Sequence, residues 1–197
     1  MTPSADIRLR ALEPEDLQLL YEIENDERFW QHGSTTVPYS RYALRNFLEQ
    51  TQNDLFADGQ VRLVIEAALE NTNGTAGLDE PIWTAVGLAD LFNADALHLR
   101  AEIGLIVLPA YQGRHYAEKA VQQLCDYAHR LMLHQLTATI AVSNKQASRL
   151  FERLGFSPSA RLSDWLRTPD GFVDAIVWQK IICPDLHREN CHHESHH

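Results

Sequence analysis

The stretch PAYQGRHYAEKA, residues 109–120, sets a proline at the end of an apolar run, then a polar loop with one glycine, then a long amphipathic segment. Where a strand passes through such a loop into a helix, the first amide N–H groups of the helix have no partner within it. The aligned peptide dipoles add partial positive charge at the same place. Gly113 lets a ligand come close to the main chain, and Arg114 adds a cation. The combination suits an anion, with a pyrophosphate as its natural guest; a plain structural turn is the alternative reading of the same residues. A second chemistry-bearing stretch is ENDERFW, residues 24–30. Glu24, Asp26 and Glu27 attract cations there and Trp30 offers a cation–π face, against the alternative of a solvated acidic helix end.

The remaining reactive side chains make no recognisable arrangement. His32, His98, His129 and His134 fall into no triad and no metal-ligand spacing, and are read as surface or satisfied core residues. Cys125, Cys183 and Cys191 form no CxxC pair, so they are read as free thiols, in keeping with a reducing compartment. Cys125 falls on an apolar helical stripe and is expected in the core.

Elements that can position these residues follow from the apolar periods. IRLRAL alternates as a strand, and a helix is expected from Pro14, with Leu17, Leu20 and Tyr21 on one face. A loop, NDERFWQHGSTTVP, precedes a second helix over residues 40–51. VRLVIEAAL reads as a strand, ENTNGTAGLDEP as a mobile connector, and IWTAVGLADLF and LHLRAEIGLIVL as two more strands. In the last of these Leu97, Leu99, Ala101, Ile103, Leu105 and Val107 share one face, and Ile106 and Leu108 make its end apolar on both. From Arg114 the period becomes helical, with a stripe running from Ala117 through Leu124 and Cys125 to Leu131 and Met132. LTATIAV is a strand, Ser143 and Gln146 fit a capping box, and Ala147, Leu150, Phe151 and Leu154 line a short helix that Gly155 can end. Two strands around ARLSDWLR and FVDAIVWQKII, joined by the turn TPDG, complete an α+β (mixed α/β) domain with a partly antiparallel sheet.

The 197 residues suffice for one domain, expected over residues 1–183. A formal net charge of −10 argues against a nucleic-acid partner and favours cationic ones. No apolar run spans a bilayer and MTPSADIRLR lacks a signal-peptide pattern, so no membrane partner and a cytoplasmic location are expected. Residues 184–197 hold five of the ten histidines but no core-forming residues, and are expected to be a disordered tail without a metal site.

The run AEIGLIVLPAYQGRHYA, followed by SNKQASRLFERLGF, resembles the GNAT superfamily of acyl-CoA N-acetyltransferases. The first segment is similar to a strand with a Q-x-x-G-x-A pyrophosphate loop, the second to an N-x-x-A-x-x-L-Y-x-x-x-G-F helix beside the cofactor. Within the superfamily, IRLRALEPEDL and the AE-x-x, YQG and LGF blocks look most like spermidine N-acetyltransferases, with ribosomal-protein N-terminal acetyltransferases next. The resemblance implies the GNAT acyl-CoA N-acyltransferase fold, a central twisted, mostly antiparallel sheet with flanking helices. It also implies acetyl-CoA as co-substrate and a small-molecule amine or a peptide N-terminus as acceptor. With no Ser/His/Asp or Cys/His arrangement and Cys125 expected in the core, direct transfer fits better than an acyl-enzyme. A non-catalytic acyl-CoA-binding module is the rival, and a homo-oligomer stays open.

Position by position, the resemblance gives Leu105, Ile106 and Val107 main-chain bonds to the pantetheine arm and the acetyl carbonyl. Gln112, Gly113, Arg114, His115, Tyr116 and Ala117 would hold the pyrophosphate through backbone N–H groups. Asn144 would bond the pantetheine, with Ala147 and Arg149 nearby. Glu102, at the AE position, is the expected base for the amine, against the alternative of a sheet carboxylate paired with Arg100. The amine would be recognised by Glu24, Asp26, Glu27 and Trp30. Two residues depart from the pattern. His115 stands at the glycine position of the loop, and Phe151 stands where many relatives carry a tyrosine proposed to protonate the leaving thiolate.

Overall fold

Alternating apolar residues build seven strands among the described residues: β1 (Ile7–Ala11), β2 (Val61–Leu69), β3 (Ile82–Asp95), β4 (Arg100–Val107), β5 (Gln135–Ala141), β6 (Ser157–Thr168) and β7 (Gly171–Ile181). The structure is a computed structural model that describes residues 6–30, 37–69 and 81–183. The connector from Glu70 to Glu80 and the histidine-rich tail therefore lie outside the described residues. The strands form one sheet in the order β1-β2-β3-β4-β5-β7-β6. Every neighbouring pair is antiparallel except β4 and β5, which run parallel.

Helices cover the two faces. α4 (Tyr116–Arg130) buries Tyr116, Ala120, Val121, Leu124 and Ala128, a stripe at helical spacing, against Ile65, Ala101 and Ile103 of the sheet. α5 (Lys145–Arg153) adds Phe151 to the same core. On the opposite face α1 (Leu17–Glu24) and α3 (Arg41–Gln50) pack Leu20, Ile23 and Leu44 on Val64 and Leu88. Ile106 and Leu108 pack against this second core while Leu105 and Val107 pack against the first, so the end of β4 is covered on both faces. A short α2 (Glu27–Trp30) falls inside the segment expected to be a loop.

Three local expectations are corrected. Leu97 and Leu99 do not extend β4: Leu97 is 84% exposed, and Leu99 turns left-handed at φ 48°. The cause is Asp95, whose carboxylate accepts from the Leu97 and His98 amides and closes a turn before β4 begins. Met132 lies past the end of α4 at φ 58° and is exposed, because the helix stops at Arg130. The cap of α5 is Asn144, whose side chain accepts from the Ala147 amide at 3.0 Å, one residue later than the box expected at Ser143. Cys183 is buried and Cys125 half-buried; Cys191 lies outside the described residues.

The parallel pair opens shortly after it starts. β4 and β5 are in register at Arg100↔Gln135, Ala101↔Leu136 and Glu102↔Thr137, and no residue of β5 is in register with β4 beyond Glu102. Leu108 donates its amide to the Val86 carbonyl at 2.9 Å, which fixes the hydrogen-bonding phase of the β3–β4 ladder. By that phase Ile106 and Gly104 direct their backbone groups at β3, while Leu105 and Val107 direct theirs toward β5, into the opening. The main-chain bond to the pantetheine arm expected of Ile106 is corrected accordingly, since its backbone is taken up by the ladder. Gly87 permits this end of the ladder. A Cβ there would lie 2.1 Å from the Ile106 carbonyl oxygen, so β3 can lie this close to β4 only with glycine at that position.

Candidate active site

The loop after β4 is built from main chain. Pro109–Tyr111 makes one 3-10 turn, closed by the Tyr111 amide on the Leu108 carbonyl at 2.8 Å. Gln112 then reaches back, its side-chain amide donating to the Val107 carbonyl at 3.0 Å, which ties the loop to the strand end. Gly113 at φ 78° and His115 at φ 63° are both left-handed, an alternation that turns successive N–H groups to one side. Nothing would lie within 4 Å of a Cβ at Gly113, so its role here is backbone conformation and room for a ligand. Because Lys119 makes the first helical bond, to His115 at 3.2 Å, the amides of Tyr116, Ala117 and Glu118 precede the helix's own ladder. The buried ring of Tyr116 fixes that helix end to the core. Such a loop can receive a diphosphate.

His115 holds its strained position without a side-chain cap on the helix. Its Nδ1 lies 3.2 Å from Glu118 Oε2, on an exposed surface, and Arg153 also approaches that carboxylate at 3.6 Å. The guanidinium of Arg114 stands 5.8 Å from the Tyr111 ring. Across the opening, α5 begins at the end of β5, with Asn144 at its cap, Ala147 half-buried and Arg149 exposed. The cap engages the Asn144 side-chain oxygen, Oδ1. Phe151 turns inward, edge-on to Phe156 with centroids 4.9 Å apart, and its hydrocarbon ring offers no proton.

Glu102 sits at the vertex of the opening, on the last residue pair shared by β4 and β5. Asn93 Nδ2 donates to its Oε1 at 3.1 Å, and Thr139 Oγ1 donates to its Oε2 at 3.4 Å. The expected alternative partner, Arg100, instead pairs with Asp95 at 3.1 Å. Among the described residues no cation stands within salt-bridge distance of Glu102. A cleft of about 430 Å³, lined by Asn93, Arg100, Glu102, Gln135, Ser159 and Gln179 among others, connects this carboxylate with solvent.

The acidic stretch near residue 24 is placed differently from an open cation trap. Arg62 bridges the carboxylates of Glu24 and Asp90, on the α1 side of the sheet. Burial pushes the Asp90 carboxyl up and Glu24 adds to that, against the opposing pull of Arg62. Asp26 accepts from Arg28, whose guanidinium is the main cause that holds its carboxyl below the ordinary range. Glu27 opens α2, exposed. The Trp30 side chain lies outside the described residues. The structure thus sets Glu102, Leu105, Val107 and the 112–117 loop in order along β4, from the vertex of the opening to the strand end, and leaves Glu24 and Asp26 in ion pairs with the chain's own arginines.

Sequence patterning does not single out Thr139, Arg62 or Asp90, since their partners lie 28 to 38 positions away in the chain. Asn93 carries a weak signal, a polar residue that interrupts the apolar strand LFNAD.

The family described as Acetyltransferase (GNAT) domain matches residues 6–157 of the chain. A spermidine N(1)-acetyltransferase of Vibrio cholerae is 27% identical over 161 residues, covering 81% of this chain and 83% of that protein. A Bacillus subtilis protein, YdaF, which carries the name of a ribosomal N-acetyltransferase, is 25% identical over 182 residues, covering 89% and 91% of the two chains. Among solved structures, the Vibrio cholerae spermidine N-acetyltransferase in complex with CoA and spermine superposes with a TM-score of 0.74 at 24% identity. The match spans 89% of this chain and 95% of that one, and establishes a shared fold. The family match runs from β1 to the start of β6, so it contains both arms of the opening, the loop at residues 112–117 and Glu102. This chain belongs to the GNAT acetyltransferase family and takes its acetyl group from acetyl-CoA.

Proposed function

We propose that this enzyme acetylates a primary amine of a polyamine such as spermidine, by direct transfer. The carrying observation is Glu102: a carboxylate at the vertex of the β4–β5 opening, held by two neutral donors and open to a polar cleft. The amine must lose its proton to react. At an ordinary lysine-like pKa only about one molecule in ~2,500 is neutral at pH 7, a cost of roughly 4.6 kcal/mol. A fixed base beside the opening offsets that cost, and Glu102 is the group with the position for it. The net charge of −10 and the Vibrio cholerae spermidine enzyme among the relatives favour a polycationic acceptor.

In this reading the amides of Gly113 to Ala117 bind the diphosphate of acetyl-CoA, and the main-chain groups of Leu105 and Val107 hold the pantetheine arm and polarise the acetyl carbonyl. The amine nitrogen bonds to the carbonyl carbon, Glu102 takes the amine proton directly or through water, and the carbon–sulfur bond breaks with its electron pair on sulfur. No thiol of the chain need intervene. Burial is the main cause that raises the half-buried Cys125 thiol, and this disfavours the thiolate an acyl-enzyme route would need. Phe151 gives no acid help to the leaving sulfur, so that proton comes from water or another group.

A protein N-terminus is the second reading. An α-amino group near pKa 8 costs only about 1.4 kcal/mol to neutralise at pH 7, so it depends less on a base. The pairing of Glu24 and Asp26 with the chain's own arginines, which leaves fewer open carboxylates for a polycation, favours it, as does the YdaF relative. Thiol release from acetyl-CoA, measured against spermidine, spermine, aminoglycosides and N-terminal peptides, separates the two. Polyamine-dependent release with little response to peptides is the expected outcome; release with peptides alone would replace it by the second reading.

A further inference from the structure

Strand β3 breaks its own geometry beside the carboxylate at the vertex. The ladder with β4 is regular through Phe92↔Glu102, then shifts register before Asp95↔Arg100. At the break Asn93 takes φ 50°, a left-handed conformation inside a strand that few side chains other than asparagine and aspartate tolerate. The kink has two consequences, and both concern Glu102. It aims the Asn93 amide so that Nδ2 donates to Glu102 Oε1 at 3.1 Å. It also brings the Asp95 carboxylate onto Arg100 at 3.1 Å, where the arginine would otherwise be the cation nearest in sequence to Glu102 on β4.

We propose that Asn93 is a positioning residue for the acetyl transfer: its left-handed kink supplies a neutral donor that orients the Glu102 carboxylate, while Asp95 keeps Arg100 from pairing with it. The inference rests on the reading of Glu102 as the base for the amine. A base must be ionised, aimed and unquenched. Two neutral donors, from β3 and from Thr139 on β5, fix both carboxylate oxygens from opposite sides and leave their remaining lone pairs available. An arginine in the same place would hold the carboxylate just as firmly but would draw its charge away from the incoming amine. Exposure to the cleft gives Glu102 a way to return the proton to solvent.

Two substitutions separate the amide from the backbone it sits on. Asn93→Gly keeps the left-handed conformation and removes the donor. Asn93→Asp keeps nearly the same shape and sets a second negative charge against Glu102. Both are compared with Glu102→Gln and with the double variant Asn93→Gly/Glu102→Gln in steady-state acetyl transfer to the preferred amine. The expected result is a fall in kcat of about ten-fold for Asn93→Gly and more for Asn93→Asp, the loss typical of one hydrogen bond to a charged group. The KM for acetyl-CoA and the melting temperature stay at their wild-type values in Asn93→Gly, and the double variant is no slower than Glu102→Gln alone. If Glu102→Gln keeps the full rate, the base reading fails and this inference with it. If Glu102→Gln loses activity but Asn93→Gly stays within two-fold of wild type, or slows the Glu102→Gln background by a further ten-fold, the base stands and the positioning role is overturned.

Discussion

His115 caps α4 in the left-handed region, where glycine meets no Cβ penalty, and its ring is turned toward Glu118 rather than folded over the loop. The histidine therefore preserves the backbone path that a glycine would take, at the cost of local strain. His115→Gly should raise stability by about 0.5 kcal/mol, the relief of strain less the extra freedom of glycine in the unfolded chain. Its affinity for acetyl-CoA should change less than ten-fold, as titration calorimetry would read. A gain larger than that would mean that the imidazole obstructs the loop. The loop motif and the Glu102 position can be read from local spacing, because each lies within one continuous stretch. The donors that hold Glu102 cannot, since Asn93 and Thr139 come from two different strands and meet only after the sheet is assembled.

At the scale of elements, the opening between β4 and β5 depends on how β3 holds the other edge of β4. At Gly87 the two strands lie too close for a Cβ. Gly87→Ala would force its Cβ against the Ile106 carbonyl, a backbone atom that cannot rotate away, and should cost about 3 kcal/mol or more in unfolding free energy. Transfer activity should fall by a larger factor than the folded fraction does, because Leu105 and Val107 move with Ile106. Unchanged stability in urea denaturation would show that the strands relax independently. The strand and helix order was legible from the periods 2.0 and 3.6, which register burial on one face. What those periods do not encode is where pairing stops. Leu97 and Leu99 continue the apolar alternation of β4, yet the Asp95 turn removes them from it. Glu102 marks the end of the β4–β5 pairing with no change in pattern at all.

Across the whole molecule, acidic groups outnumber basic ones, and much of the fold's polar interior consists of carboxylates held by arginine. Arg10 joins Asp16 and Glu66 at 2.6 and 2.8 Å, tying the turn before α1 to β1 and β2 at the sheet edge. Burial pushes both carboxyls up, and the bonds they accept more than cancel it, from Arg10 and the Glu13 amide on Asp16 and from Arg10 and Arg8 on Glu66, so both titrate below their ordinary values of 3.8 and 4.5. Their contribution to stability is therefore complete above those ordinary values and is lost as pH falls through the lower folded ones. Arg10→Met should cost about 2 kcal/mol at pH 7, and the gap to wild type should narrow as pH drops below about 4. A gap that stays constant with pH would place the effect of Arg10 in packing alone.

The acyl-carrier site is the claim on which the rest of the account depends, and amide hydrogen exchange with and without acetyl-CoA reads it residue by residue. The prediction is slowed exchange, by ten-fold or more, at the amides of Gly113 to Ala117 and at Leu105 and Val107, with the far edge of the sheet at β1 unchanged. Exchange that stays fast at those amides under saturating acetyl-CoA, with protection appearing elsewhere in the chain, would contradict it.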